Sequence, residues 1–183
     1  DKKILLDCGM FQGMGKDTDA MNRRFGFNPE KVDVMILSHA HIDHSGLIPK
    51  LVKEGFKGQI FCTPATKDLA SILLEDSAEI QEDDVKYENK KRAMQGQPYL
   101  QPLYTLEDAK KAIGHLSPVE YGTWFNVTDG VQAQFLDAGH IIGSATVHLK
   151  ITEDGKTKTL TFSGDVGRYR DVILKSPQDF PQA

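Results

Sequence analysis

The chain has 183 residues, 39% hydrophobic and 26% charged, the balance of a soluble globular domain with a sizeable core. Its 22 basic and 26 acidic residues leave a net charge of −4, so nothing global advertises nucleic-acid binding; nor is a phosphate-bearing substrate excluded, because bound divalent cations make a cleft locally positive. No apolar run in these residues approaches the roughly 20 that span a bilayer, and no signal-like segment opens the sequence.

In chain order, Lys3-Ile4-Leu5-Leu6-Asp7 reads as a strand that begins almost at once, without an initiator Met, so a fragment of a longer protein is expected. Asp7, before Cys8-Gly9, is either a turn residue or a carboxylate that orients a metal-bound histidine without binding the metal itself. The stretch from Gly9 to Asp17 is not a phosphate loop, since Met10 and Asp17 stand where GxxxxGK[ST] needs Gly and Ser or Thr. Residues 17–31 are polar and irregular. Residues 32–37 form an apolar run expected as a buried strand, 46–55 a short helix closed by Gly55, and 59–62 another strand, an alternating α/β pattern.

Residues 65–93 predict one long helix, with Leu69, Ile72, Leu73, Ile80 and Val85 marking an apolar face. Its later half, 81–92, is densely charged and is either a solvated face or a substrate-facing arm. Thr105 with Asp108 offers a weak capping box for a helix ending near His115, itself a structural histidine. Four short strands follow, at 124–127, 131–136, 145–151 and 157–162, the last two a hairpin on Asp154-Gly155. Alternation along the third of these sets His148 opposite Val147 and Leu149, pointing away from the core and not toward a metal. Cys8 and Cys62 lie in apolar strand contexts and are expected as reduced core thiols, which favours the cytoplasm.

The chemistry concentrates after the strand at 32–37. Three of the six histidines and a carboxylate occupy His39, His41, Asp43 and His44, the donor types that zinc prefers, at the end of a rigid element. His39 and His41 are too close in sequence to share a helical face and need an extended or looped backbone, while the adjacent Asp43 and His44 point apart. The simplest geometry gives His39 and His41 to one metal and Asp43 and His44 to a second. Two glycine-flanked loops supply what is missing: His140 in Gly139-His140-Ile141-Ile142-Gly143 as a third nitrogen, and Asp165 in Gly164-Asp165-Val166-Gly167 as a carboxylate able to bridge both metals.

His39-Ala40-His41-Ile42-Asp43-His44, Gly139-His140 and Gly164-Asp165, in this order, resemble the metal motifs of the metallo-β-lactamase superfamily, with Asp7 matching its early strand-end aspartate. The segment from Ser38 to Pro49, the charged helix after Thr63-Pro64, and the run from Gly139 to Ala145 are similar to the β-CASP RNA-processing nucleases, relatives of the messenger-RNA cleavage factors. The resemblance implies an α/β protein, an αβ/βα sandwich with two zinc ions at the loop edge of its sheets. It implies His39, His41 and His140 on one zinc, and Asp43, His44 and Asp165 on the other, with Asp165 bridging. It further implies that residues 1–183 are part of a catalytic domain. The family's earlier strands, the inserted β-CASP domain and a returning segment with the last histidine ligand are not in this sequence.

The implied function is hydrolysis of RNA by two-metal activation of a bridging water, with Asp43 orienting it; the isolated chain is expected to be inactive. RNA is the implied partner, a membrane is not, and homo-oligomerisation of the full-length protein stays open. Hydrolysis of a small thioester or lactone is the rival in the same chemistry, and a non-catalytic scaffold subunit the rival outside it. β-Lactam hydrolysis fits less well, because the typical β-lactamase pattern does not keep histidine at the position of His44.

Overall fold

The computed structural model describes residues 2–13 and 15–179, with the backbone alone for Lys16. Strands β1 (Ile4–Leu6), β2 (Val34–Ile36), β3 (Ile60–Cys62) and β4 (Leu116–Pro118) form a parallel sheet in that order, with Leu5 beside Met35 and Met35 beside Ile60. Strands β5 (Trp124–Thr128), β6 (Val131–Asp137), β7 (Ala145–Glu153) and β8 (Lys156–Phe162) form an antiparallel sheet, again in sequence order. Helix α1 (Thr18–Asn22) lies between β1 and β2, α2 (Ile42–Ser45) and α3 (Ile48–Lys53) between β2 and β3, and α4 (Pro64–Met94) and α5 (Leu106–Ile113) between β3 and β4.

Strand alternation decides the layers. Leu5, Met35, Leu37, Ile60, Cys62 and Leu116 pack with Leu51 of α3, Leu74 of α4 and Ala109 of α5. Their neighbours Ile4, Leu6, Val34, Ile36 and Phe61 turn the other way, onto Val131, Ala133, Phe135, Val147 and Leu149 of the second sheet. A sheet covered on both faces needs apolar residues at successive positions, which is why residues 34–37 contain no polar side chain. The described residues thus stack as helices, parallel sheet, antiparallel sheet.

Several sequence expectations change. Residues 17–31 are not irregular throughout, since α1 and a 3₁₀ turn at Pro29–Lys31 form there, and β4 was not anticipated because its three residues are too short for a periodic signal. Helix α4 runs for 31 residues as expected, capped by Thr63, but buries the row Thr66, Ala70, Leu74 and Ala78. Ile72 and Ile80, expected on its inner face, are 67% and 54% exposed. With that i, i+4 row facing the core, Ile72 and Ile80 fall on the outer side of the helix. Beyond Ala78 no residue of α4 is buried, and its charged half is solvated, with short-range pairs such as Lys86–Asp83 and Arg92–Glu88.

His148 needs a correction. It does lie opposite Val147 and Leu149, but it is only 4% exposed, buried with Thr146 at one end of a face whose next residues Lys150 and Thr152 are exposed. Its nitrogens meet Thr146 Oγ1 at 3.3 Å and Thr161 Oγ1 at 3.1 Å, and burial lowers its pKa. Other local readings hold. The Thr105–Asp108 capping box is complete, Asp154 and Gly155 both take the positive φ of a type I′ turn, and His115 Nδ1 donates to the Gly58 carbonyl at 2.8 Å. Cys8 and Cys62 are unpaired and buried, and burial pushes both thiols up to about 12, which keeps them unreactive.

One close approach sets the position of α2. The segment after β1 is laced to it by Cys8 N to His44 O at 2.7 Å, Met10 N to Ile42 O at 2.9 Å and Leu47 N to Cys8 O at 2.9 Å. Gly9 therefore passes so near the chain that a Cβ there would overlap the Asp43 carbonyl. Gly9→Ala is expected to destabilise the fold by about 1–3 kcal/mol through this overlap. Gly26, with open space around its Cα, is the control: Gly26→Ala should stay within about 0.5 kcal/mol. Urea unfolding of both variants checks the contrast.

Candidate metal centre

The strands deliver the chemical residues to one end of the two sheets. β1 runs into Asp7, β2 into Ser38 and His39, β6 into the loop that carries His140, and β8 into Gly164-Asp165. For the parallel strands this is the carboxyl edge, where α/β sheets open a crevice. The sheets are joined there by Ala145 N donating to Ser38 O at 2.9 Å. Asp7 adopts φ 57°, a left-handed conformation that Asp tolerates better than most side chains. His41, with φ −54° and ψ 145°, keeps the chain extended up to α2, so that His39 and His41 project to the same side, as their spacing required.

Three imidazoles converge. His39 Nε2 lies 3.1 Å from His41 Nδ1, which lies 3.2 Å from His140 Nε2, although His140 is 99 residues away in sequence. His41 Nδ1 holds one proton or one lone pair, so it satisfies at most one of these neighbours. A shared cation satisfies all three. The separations are close to the ~3.3 Å expected between nitrogens bound at about 2.0–2.1 Å with tetrahedral angles. Asp165 completes the group, with Oδ2 3.4 Å from His140 Nε2 and 3.9 Å from His39 Nε2. Three nitrogens and a carboxylate oxygen fit a divalent metal of the borderline class.

The other oxygen of Asp165, Oδ1, faces His44 Nε2 at 3.5 Å. Its two oxygens are therefore divided between the three-histidine group and His44. Asp7, His39 and His44 also form a close donor set, but the Asp7 carboxylate is already occupied. Its Oδ1 accepts from Ser38 N, and its Oδ2 from Ser38 Oγ and His44 Nδ1, each at 2.7 Å. Of the two readings of Asp7, the geometry matches an orienting carboxylate. Asp43, at the start of α2, is exposed and belongs to neither gathered set. The structure thus brings together His39, His41, His140 and Asp165, places His44 beside them and Asp7 behind it, and leaves Asp43 facing solvent.

The electrostatics suit metal binding. Burial, and then the neighbouring His44, push His39 down to about 4, so it is neutral and able to coordinate at ordinary pH. His44 is raised instead, first by its hydrogen bond to Asp7 and against the effect of burial.

Sequence reasoning missed the residues that hold the His140 loop. Ser144 Oγ accepts from His140 N at 3.0 Å and Ile141 N at 3.2 Å, and Tyr121 donates to Ser144 O at 2.7 Å. Thr63 and Thr66 hydroxyls both donate to Gly143 O, at 2.7 and 2.8 Å, pinning the loop to the start of α4. Gly143 has φ +85°, and a Cβ there would come 2.5 Å from Thr66 N. The run Gly143-Ser144-Ala145 hinted at a tight turn, but its partners lie 80 and 77 residues away and leave no local signal.

Comparison with known proteins agrees with this architecture. Ribonuclease TTHA0252 of Thermus thermophilus is 37% identical over 182 residues, all of this chain but 36% of that protein. Transcription termination factor FttA of Methanocaldococcus jannaschii is 32% identical over 91% of this chain and 24% of its own length. The chain spans about a third or less of the curated relatives it matches. A metallo-beta-lactamase of Cronobacter sakazakii with a HARLDQ motif shares the fold at 18% identity and a TM-score of 0.51, over 91% of this chain and 53% of that one. The model of the metallo-beta-lactamase superfamily matches residues 1–182, and with the two facing sheets and the histidine–aspartate cluster at their edge it shows that the chain belongs to this superfamily.

Proposed function

We propose that residues 1–183 form part of the catalytic domain of a zinc-dependent ribonuclease of the β-CASP type, acting in the cytoplasm. The observation that carries the reading is the division of the Asp165 carboxylate between His140 and His44, the arrangement of a ligand shared by two metals. The name of the Thermus relative, identical at 37% of positions across this whole chain, supports RNA as the substrate.

His39, His41 and His140 would hold one zinc, His44 and Asp43 would hold the second, and Asp165, whose two oxygens face His140 and His44, would serve both. Two ions held there would supply Lewis-acid polarisation of a phosphoryl oxygen and would lower the pKa of a water toward neutrality. The chain's own residues do the rest. His39, fully buried, anchors the pair from inside, while the half-buried His41, His44, His140 and Asp165 leave the cluster open on its outer side to a polymer strand. Asp43, exposed at the first turn of α2, would accept a hydrogen bond from the attacking water and hold its orientation. Asp7 keeps the His44 ring in place through its 2.7 Å hydrogen bond.

The intact parent protein should cleave labelled single-stranded RNA, lose that activity to a chelator and regain it with zinc. Asp43→Ala should slow cleavage by about 10²-fold or more. No metal-dependent cleavage by the intact protein sinks the ribonuclease reading, and turnover of thioesters or lactones instead would put the small-substrate hydrolase in its place. In metal analysis of the intact protein, His140→Ala should lose the three-histidine zinc and fall from two equivalents toward one. The isolated chain should bind zinc weakly or partially and be inactive, because a ligand and a cleft wall are missing together. Tight binding of two zinc ions by the isolated chain contradicts that ligand count.

A further inference from the structure

We infer that the buried Ser38 hydroxyl is a positioning group that couples the two halves of the metal centre: it sets the tautomer of His39 from the same carboxylate, Asp7, that sets the tautomer of His44. The inference rests on the ligand assignment proposed above and adds to it a residue that binds no metal.

The case is one of counting protons. Asp7 Oδ1 accepts from Ser38 N, and Asp7 Oδ2 faces both Ser38 Oγ and His44 Nδ1, all at 2.7 Å. A carboxylate offers only lone pairs, and a serine hydroxyl has a single proton. That proton goes to Asp7. The same hydroxyl lies 3.0 Å from His39 Nδ1 and meets it as an acceptor, so the proton of the neutral His39 ring sits on Nδ1. His39 Nε2 is then bare where it faces His41 at 3.1 Å and Asp165 at 3.9 Å. The reverse arrangement, with Ser38 donating to His39, would set hydroxyl lone pairs against carboxylate lone pairs at 2.7 Å. By the same count His44 keeps its proton on Nδ1, toward Asp7, and its Nε2 lone pair faces Asp165 Oδ1 at 3.5 Å.

Ser38 is also where three pieces of the centre touch. It is fully buried, its carbonyl accepts from Ala145 N at 2.9 Å across the two sheets, and its Cβ and Oγ lie 2.9 Å from where a Gly164 Cβ would stand. Gly164, at φ +51°, lets the turn that presents Asp165 close directly onto it. A hydroxyl that only filled this space would be replaceable by a methyl group. One that carries the Asp7 constraint to His39 is not.

The test uses the intact parent protein, with zinc competition against a chelator and the absorption of cobalt(II) substituted into each site. Ser38→Ala should weaken the three-histidine site by about 10–100-fold and shift its cobalt spectrum, while the His44 site, tied to Asp7 directly, stays within about twofold of the parent. Ser38→Thr, which keeps the hydroxyl, should restore the spectrum. Asp7→Asn should weaken both sites, and this holds as a separate test should Ser38→Ala not fold. Two outcomes overturn the inference while the ligand assignment stands: a parent that binds two ions with Ser38→Ala unchanged, or equal weakening of both sites in Ser38→Ala. Asp7→Asn affecting one site alone also overturns it. A parent that binds no metal overturns the ligand assignment, and the inference with it.

Discussion

An imidazole nitrogen held within hydrogen-bonding distance of two others, with a carboxylate oxygen beside them, is an unsatisfied arrangement without a cation. His41 Nδ1 at 3.1 and 3.2 Å from two other ring nitrogens has one proton or one lone pair to give. The fold imposes this arrangement. His39 is fully buried behind the strand end, the His140 loop is pinned by Ser144, Thr63 and Thr66, and Asp165 follows a glycine turn seated on Ser38. Preorganisation of this kind is what a metal site needs from a protein, because the ligands do not have to be gathered when the ion arrives.

The scaffold achieves it with few elements. Two four-stranded sheets, one parallel and one antiparallel, share an apolar interface and present their loops at a common edge. The parallel sheet contributes Asp7 and the HxHxDH segment, the antiparallel sheet His140 and Asp165, so no single sheet owns the site. The contacts between Ser38 and both Ala145 and Gly164 tie the contributions together. Asp43 is the outlier: it shares a short helix with His44 but faces solvent.

Much of the fold was legible because its signals are local. The apolar run at 32–37 marked a buried strand, Asp154-Gly155 marked the hairpin, and Thr105 with Asp108 marked the start of α5. What failed was decided by packing. Ile72 and Ile80 looked like part of the inner face of α4, but the helix turns Thr66, Ala70, Leu74 and Ala78 inward and leaves both isoleucines exposed. His148 was correctly set opposite Val147, yet strand alternation says nothing about whether a position on a sheet's outer face is locally buried, and this one is. The three-residue strand β4 pairs with β3 without any periodic signal of its own.

For the site, the sequence alone singled out the candidate donors. His39, His41, Asp43, His44, His140 and Asp165 stand out by residue type, by spacing and by glycines that permit tight turns, and all of that is written along the chain. Only the tertiary structure decided which donors meet, since His41 and His140 are 99 residues apart and come together through the pairing of two sheets. It alone decided that Asp7 is saturated by Ser38 and His44 and so stands behind the ligands, because hydrogen-bond occupancy is a property of three-dimensional neighbours. Ser38 shows the limit most clearly. In sequence it is a serine before a histidine, and its role exists only because Asp7, 31 residues earlier, is folded against it.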